Sequence, residues 1–164
     1  MRRIALSVVA VVTVAAGVWF IYASSDAGRG VRARLASLSD MVNRTTVDGL
    51  GPEARAAQLG AFFTEDVDVE LGQGAAAIRG RDTIIGMAER LQPRTAAFRL
   101  KFEDVSVVLA PDGNTADVHL TAEFIRRSIT TGEESLDARE FMLGMRRVAA
   151  DWQIAKVTAV ETLK

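Results

Sequence analysis

Hydrophobic positions along this chain follow three successive patterns: an unbroken apolar run, then helical spacing, then long stretches of strand alternation. The run from Ile4 to Ala23 holds no charged residue, and its polar members are Ser7, Thr13 and Tyr22. Val31, Leu35, Leu38 and Val42 then recur at the period of one helix face, with Arg32, Arg34, Ser39 and Asp40 off that stripe. Thr45 to Pro52, with two glycines, predicts a loop. Pro52 suits the first turn of a second helix and Glu53 its positive end; Ala56, Leu59, Phe62 and Phe63 supply its apolar face. Val67, Val69 and Leu71 alternate with Asp68 and Glu70 as in a half-buried strand, ended by Gly72-Gln73-Gly74. A third helix is predicted from Arg81-Asp82 through Ile84, Ile85, Ala88 and Leu91 to a stop before Pro93.

Beyond Pro93 the pattern is that of strands: Phe98 to Leu109, Thr115 to Arg127, Leu136 to Val148 and Trp152 to Leu163. Pro111-Asp112-Gly113-Asn114 predicts a turn, because Pro presets one φ and Gly permits a positive one. If that turn pairs Leu109 with Ala116, Val107 meets Val118 and Val105 meets Leu120. Continuing without interruption would set Phe102 against Glu123 and mix the faces. One extra residue near Glu103-Asp104 restores agreement, so a β-bulge is expected there, with Phe102 opposite Ala122 and Leu100 opposite Phe124. Across the next hairpin the expected partners are Ala122 with Phe141, Leu120 with Leu143 and Val118 with Met145. The shared apolar face requires helices to cover it.

The charge-free run behind Arg2-Arg3 is 20 residues, long enough at ~1.5 Å per residue to span a ~30 Å hydrocarbon core. Trp19 and Tyr22 stand near its far end, where such rings favour headgroups. It is expected to be an uncleaved single-pass anchor (residues 1–25), with a polar joint at 26–30 and one domain over 31–164. A cleaved secretory signal is the competing reading, with Ala23-Ser24-Ser25 offering small residues before Asp26. The short basic tail favours a cytoplasmic N-terminus, although Arg29, Arg32 and Arg34 lie within reach on the other side. The expected location is a bacterial inner membrane, with the domain on the periplasmic, extracytoplasmic side.

Composition narrows the chemistry. The chain has no Cys, so disulfides, thiolate metal sites and a cysteine nucleophile are excluded. Its single histidine, His119, makes multi-histidine metal centres unlike this chain, and no metal or cofactor is expected. Two of the 20 basic residues precede the apolar run, leaving 18 against 21 acidic ones, so a nucleic-acid partner is not expected.

Two helices, a strand, a helix and long antiparallel strands is an order similar to that of the nuclear-transport-factor-2-like superfamily. Phe62-Phe63-Thr64-Glu65-Asp66-Val67 resembles that family's helix end and acidic turn into the first strand. Arg79-Gly80-Arg81-Asp82-Thr83-Ile84 resembles its glycine-led entry to the third helix, and Asp151-Trp152-Gln153-Ile154 the opening of its last strand. The resemblance covers about residues 31–163 and is nearest the SnoaL-like branch. It implies an α+β fold: a curved antiparallel sheet wrapped as a cone around three helices, a cystatin-like roll, usually with an interior pocket. Members range from isomerases, dehydratases and cyclases to noncatalytic binding or assembly domains.

No catalytic set of that family carries over. The only tyrosine, Tyr22, lies in the apolar run. His119 is the one candidate acid/base, and the register places it on the polar face beside Ser106 and near Gly144. Lys101 and Glu123 are expected to face each other as a cross-strand pair, and Glu65, Asp66, Asp68 and Glu70 to form a solvated turn and strand edge. On the inner face, the apolar row beyond Phe124 is expected to bring Arg126 and Asp137 together, with Arg139 next to Phe124. These are the candidate ligand-binding residues, since an Arg fork suits an anionic or carbonyl oxygen; a rim salt bridge is the alternative. The expected function is therefore a membrane-tethered, noncatalytic domain binding a small apolar or anionic ligand or a protein, with a homodimer through the sheet as one arrangement. The alternative is an isomerase, dehydratase or cyclase acting in the cone.

Overall fold

The computed structural model describes residues 28–44, 51–72, 75–90, 96–128 and 131–160. The expected anchor at 4–23 lies outside the described residues, and no helix among the described residues is long and apolar enough to cross a membrane.

Helix α1 covers residues 28–43. Residues 28–30, expected within a polar joint, are already helical, and Gly30 sits against the Trp152 indole, where a Cβ would lie 3.1 Å from its nitrogen. The stripe Val31, Leu35 and Leu38 is buried as its spacing requires, and Val42 packs beside it. Helix α2 (Pro52–Gly60) begins at Pro52, with Glu53 in its first turn. Phe62 and Phe63, expected on its apolar face, lie beyond its end. Phe62 is in a turn and Phe63 opens strand β1 (Phe63–Glu70), so Glu65 and Asp66 are strand residues rather than a turn. A short strand β2 (Ile78–Arg79), not anticipated, precedes helix α3 (Arg81–Arg90), and Gly80 makes the junction with φ +82°. The far end of α3 expected at Leu91 lies outside the described residues. Ile85 of α3 reaches α2 at Gly60, where an added Cβ would stand 2.5 Å from the Ile85 Cδ1. Gly60 is thus the contact that lets the two helices close on each other.

Strands β3 (Ala96–Leu109), β4 (Thr115–Ser128), β5 (Glu134–Val148) and β6 (Asp151–Ala159) complete a six-stranded sheet of order β2-β1-β6-β5-β4-β3. β1 runs parallel to β6; the other pairings are antiparallel. The turn before β4 forms as expected: Gly113 has φ +67°, and the Asp112 carboxylate accepts the backbone N–H groups of Asn114 at 2.9 Å and Thr115 at 3.2 Å. β3 and β4 pair as the face argument requires, with Leu109 opposite Ala116, Val107 opposite Val118, Phe102 opposite Ala122 and Leu100 opposite Phe124. The register shifts between Glu103 and Ser106, and Asp104 takes φ +51° there, which is the expected bulge.

The β4–β5 register differs from expectation by two residues. Ala122 faces Arg139, Leu120 faces Phe141, Val118 faces Leu143 and Ala116 faces Met145. The inner and outer faces are unchanged, because side chains alternate with period two and an even slip keeps each on its side. The core consists of Leu100, Ala116, Val118, Leu120, Ala122, Phe141, Leu143, Met145, Trp152 and Ile154 of the sheet, covered by Val31, Leu35 and Leu38 of α1 and by Phe62.

Candidate functional site

The inner face of the sheet changes character along its length. Over α1 it is closed and apolar: Val118, Leu120, Ala122 and Met145 are 2% exposed. Toward the start of β5 it opens, and residues 134–140 are all exposed. A row of aromatic rings spans the transition. Phe141 is buried, Phe124 meets it edge-on at 6.4 Å between centroids, and Phe98 lies 5.9 Å from Phe124. Both outer rings are partly buried and pack on the core. Alongside them stand the charges that share this face by alternation along β4 and β5.

Asp137 is opposite Phe124, Arg139 opposite Ala122 and Arg126 opposite Ser135. Arg126 and Asp137 are therefore not direct partners, and Arg139 is not directly across from Phe124; the two-residue slip moves each by one row. The Arg139 Nε lies 3.3 Å from the Asp137 carboxylate, and both side chains are more than half exposed. The rim is thus a solvated Arg–Asp pair on β5 beside an aromatic row. An exposed pair of this kind contributes ~0–1 kcal/mol to stability, so its guanidinium can exchange a carboxylate partner for a ligand oxygen at small cost.

His119 is exposed on the outer face, opposite Ser106 and Met142. Gly144 is near it as expected, as its diagonal neighbour opposite Asp117, and the two line one shallow hollow. Lys101 and Glu123 are cross-strand partners. The ion pair of Lys101, however, is with Glu103 on its own strand; that contact raises its pKa, with Glu123 a lesser contributor.

The four acidic residues of β1 each meet a base on another element. Glu65 meets Arg81 at 3.1 Å, Asp66 meets Arg146 at 2.5 Å, Asp68 meets Arg79 at 3.6 Å and Glu70 meets Lys156 at 3.7 Å. The Thr64 hydroxyl, its own backbone N–H and Arg146 hold the Asp66 carboxyl below its ordinary value. Hydrogen bonds from the Asn114 and Thr115 backbone N–H groups, with the Thr115 hydroxyl, do the same for Asp112. Both lowered carboxyls are on the exterior. No group of three or more potential metal-ligating side chains occurs among the described residues.

One structural device escaped the sequence reading. β3 is an edge strand, and α1 runs beside it. The Asn43 amide donates to the Leu100 carbonyl at 2.9 Å while its oxygen accepts the Leu100 N–H at 2.7 Å. The Ser39 hydroxyl donates to the same carbonyl at 2.8 Å, and the Arg32 guanidinium to the Val105 carbonyl. These side chains satisfy backbone groups that an edge strand would otherwise offer to another chain. The available signal was Ser39 and Asn43 four residues apart, next to the apolar stripe.

No family model matches this chain, and no curated protein matches it in sequence. Solved structures do match its fold. A candidate scytalone dehydratase from Novosphingobium aromaticivorans superposes with TM-score 0.67 at 14% identity, over 82% of this chain and 83% of that one. An NTF2-like protein with a cystatin-like fold from the same organism gives TM-score 0.65 at 14% identity, over 89% and 86%. ActVI-ORFA from Streptomyces coelicolor gives 0.62 at 16% identity, over 80% and 96%. The fold is therefore the α+β, NTF2-like, cystatin-like one that the element order resembled. At these identities the likeness describes the fold, and one fold of this kind hosts many functions.

Proposed function

We propose that this chain is a noncatalytic binding domain for a small molecule with an apolar body and an anionic or carbonyl end. The body would lie against Phe98 and Phe124, and Arg139 would take the oxygen in place of Asp137, with Arg126 one row further along the rim. The observation that carries this reading is the graded row from buried Phe141 to partly buried Phe98, flanked on β5 by an exchangeable Arg–Asp pair. Apolar burial supplies affinity and a planar donor fork supplies orientation. We further propose that residues 4–23 tether the domain to a bacterial inner membrane on its periplasmic side.

A thermal-shift panel of aromatic and alkyl carboxylates, with matched amides and alcohols, tests the ligand reading. At least one carboxylate or carbonyl compound should raise the melting temperature. Arg139→Ala should abolish that shift while leaving the unliganded melting temperature nearly unchanged. Conversion of the bound compound would establish the dehydratase or isomerase reading instead. A melting temperature indifferent to the whole panel, or a shift retained in Arg139→Ala, would remove Arg139 as the anchor. Alkaline carbonate extraction checks the tether: the full chain should stay in the pellet, and its release into the soluble fraction overturns the anchor.

A further inference from the structure

Helix α1 fixes the end at which the chain enters the domain. Its first turn lies against the start of β6, where a Cβ on Gly30 would stand 3.1 Å from the Trp152 indole nitrogen. Arg32 reaches the Val105 carbonyl, and Ser39 and Asn43 reach that of Leu100, so α1 runs antiparallel to β3. Both tight turns of the sheet close at the end where α1 begins. Arg147 lies opposite Trp152, and its backbone N–H donates to the Asn114 carbonyl at 2.7 Å. The far end of α1 stops at the row Leu100, Phe124 and Asp137, which belongs to the candidate ligand site. The domain thus has a turn end, where the chain enters, and a rim end remote from it.

Two lengths decide how such a domain can stand on a tether. From Gly28 to Asn43, α1 rises ~22 Å, and β5 extends from Asp137 to Glu134 for ~10 Å more. Ser24, Ser25, Asp26 and Ala27 alone separate the charge-free apolar run from Gly28, a path of at most ~18 Å when fully extended. A domain inverted on the membrane, rim down, would hold Gly28 ~30 Å from the bilayer, beyond that reach. The turn end is also suited to the contact. Val148, Ala149 and Ala150 are exposed at its tip, between exposed Arg147 and Asp151, so the tip is neutral and apolar. The Asp112 carboxylate of the neighbouring turn is engaged by the N–H groups of Asn114 and Thr115. A tether keeps this tip at high effective concentration beside the headgroups, so a weak contact suffices.

We infer that the domain stands on its turn end, with the tip of Val148, Ala149 and Ala150 against the lipid headgroups and the rim of Asp137 and Arg139 facing away from the bilayer. This orientation rests on the proposed tether at residues 4–23. The candidate site then opens to water, and its ligand is a soluble compound, not a lipid drawn from the membrane.

Because the chain has no cysteine, single-site labelling reads the orientation directly. Ala150→Cys at the tip and Glu134→Cys at the rim end, each made in the full chain and carrying a fluorophore, are reconstituted in phosphatidylcholine vesicles. Nitroxide on the lipid headgroups serves as a short-range quencher. Flotation of the vesicles measures the tether, and circular dichroism the fold of each variant. The label at position 150 should lose several-fold more emission to the nitroxide than the label at position 134. Equal quenching in chains that float would mean a domain lying along the bilayer, and stronger quenching at position 134 an inverted one. Either result overturns the orientation and leaves the tether standing, as does quenching at neither site. A folded chain that does not float overturns the tether, and the orientation with it.

Discussion

Asn43 closes both hydrogen-bonding groups of Leu100 at the β3 edge, and its amide also donates to the Ser39 hydroxyl at 3.3 Å. In Asn43→Ala the Leu100 carbonyl keeps the Ser39 hydroxyl at 2.8 Å, but the Leu100 N–H loses its acceptor at 2.7 Å. Leu100 is 8% exposed, so little water is at hand to replace the lost oxygen. A lost hydrogen bond costs ~0.5–1.5 kcal/mol, and a buried donor left without a partner ~1–3 kcal/mol. With the carbonyl still served, the donor dominates, and Asn43→Ala should cost about 2 kcal/mol. Asn43→Asp keeps an acceptor for the N–H but removes the donor to the carbonyl. Because Ser39 serves that carbonyl, the Asp variant should lose less than the Ala variant. Urea denaturation measures the stability change, and amide hydrogen exchange reads the Leu100 N–H directly. Its protection should fall in Asn43→Ala more than that of neighbouring β3 amides. A stability loss under ~0.5 kcal/mol with Leu100 protection intact would refute the clamp; that is the range of an ordinary surface change.

Three further outcomes follow from the same coordinates. Phe141 is buried beneath α1 and stacked edge-on with Phe124, so Phe141→Ala should cost ~3–5 kcal/mol in urea denaturation; a loss under ~1 kcal/mol would mean the inner face is misassigned. Ala149 holds φ +55° in the tight connection between Val148 and Asp151, so Ala149→Gly should stabilise by ~1 kcal/mol, seen as a higher melting temperature; an unchanged or lower value contradicts that strain. Asp112 and Asp66 titrate below their ordinary 3.8 in the folded state, so the stability they contribute is present above that value and lost as pH falls through the lowered one. Asp112→Asn should accordingly lower stability at neutral pH and flatten the acid limb of a pH series of urea midpoints; an acid limb as steep as wild type would remove Asp112 as its source.

Much of the fold was legible because its governing signals are local. The period of Val31, Leu35 and Leu38 selects a helix face whatever that face meets, and Pro111 to Asn114 specifies a turn within four residues. The bulge at Asp104 was legible for the same reason. Two apolar rows tied by a short turn can agree only with one residue to spare. The candidate site was legible as a face but not as a set of partners. Arg139, Asp137 and Arg126 stand on the inner face as alternation requires, yet their neighbours across the strands differ from expectation.

Strand alternation cannot separate registers that differ by two, because each keeps every apolar residue buried. The choice for β5 rests on its longer loop from β4, where the Ser128 N–H meets the Glu133 carbonyl, and on its pairing with β6 across a further irregularity at Gly144. The Asn43 clamp, the short β2 and the ladder of ion pairs along β1 lie beyond local pattern for a related reason. Each depends on which element becomes an edge or a neighbour once the sheet closes. Period and turn chemistry act over a few residues and assign faces; partners far apart in the chain, such as Arg146 and Asp66 at a separation of 80 residues, are chosen when long-range packing makes one register bury the core and satisfy the edge together.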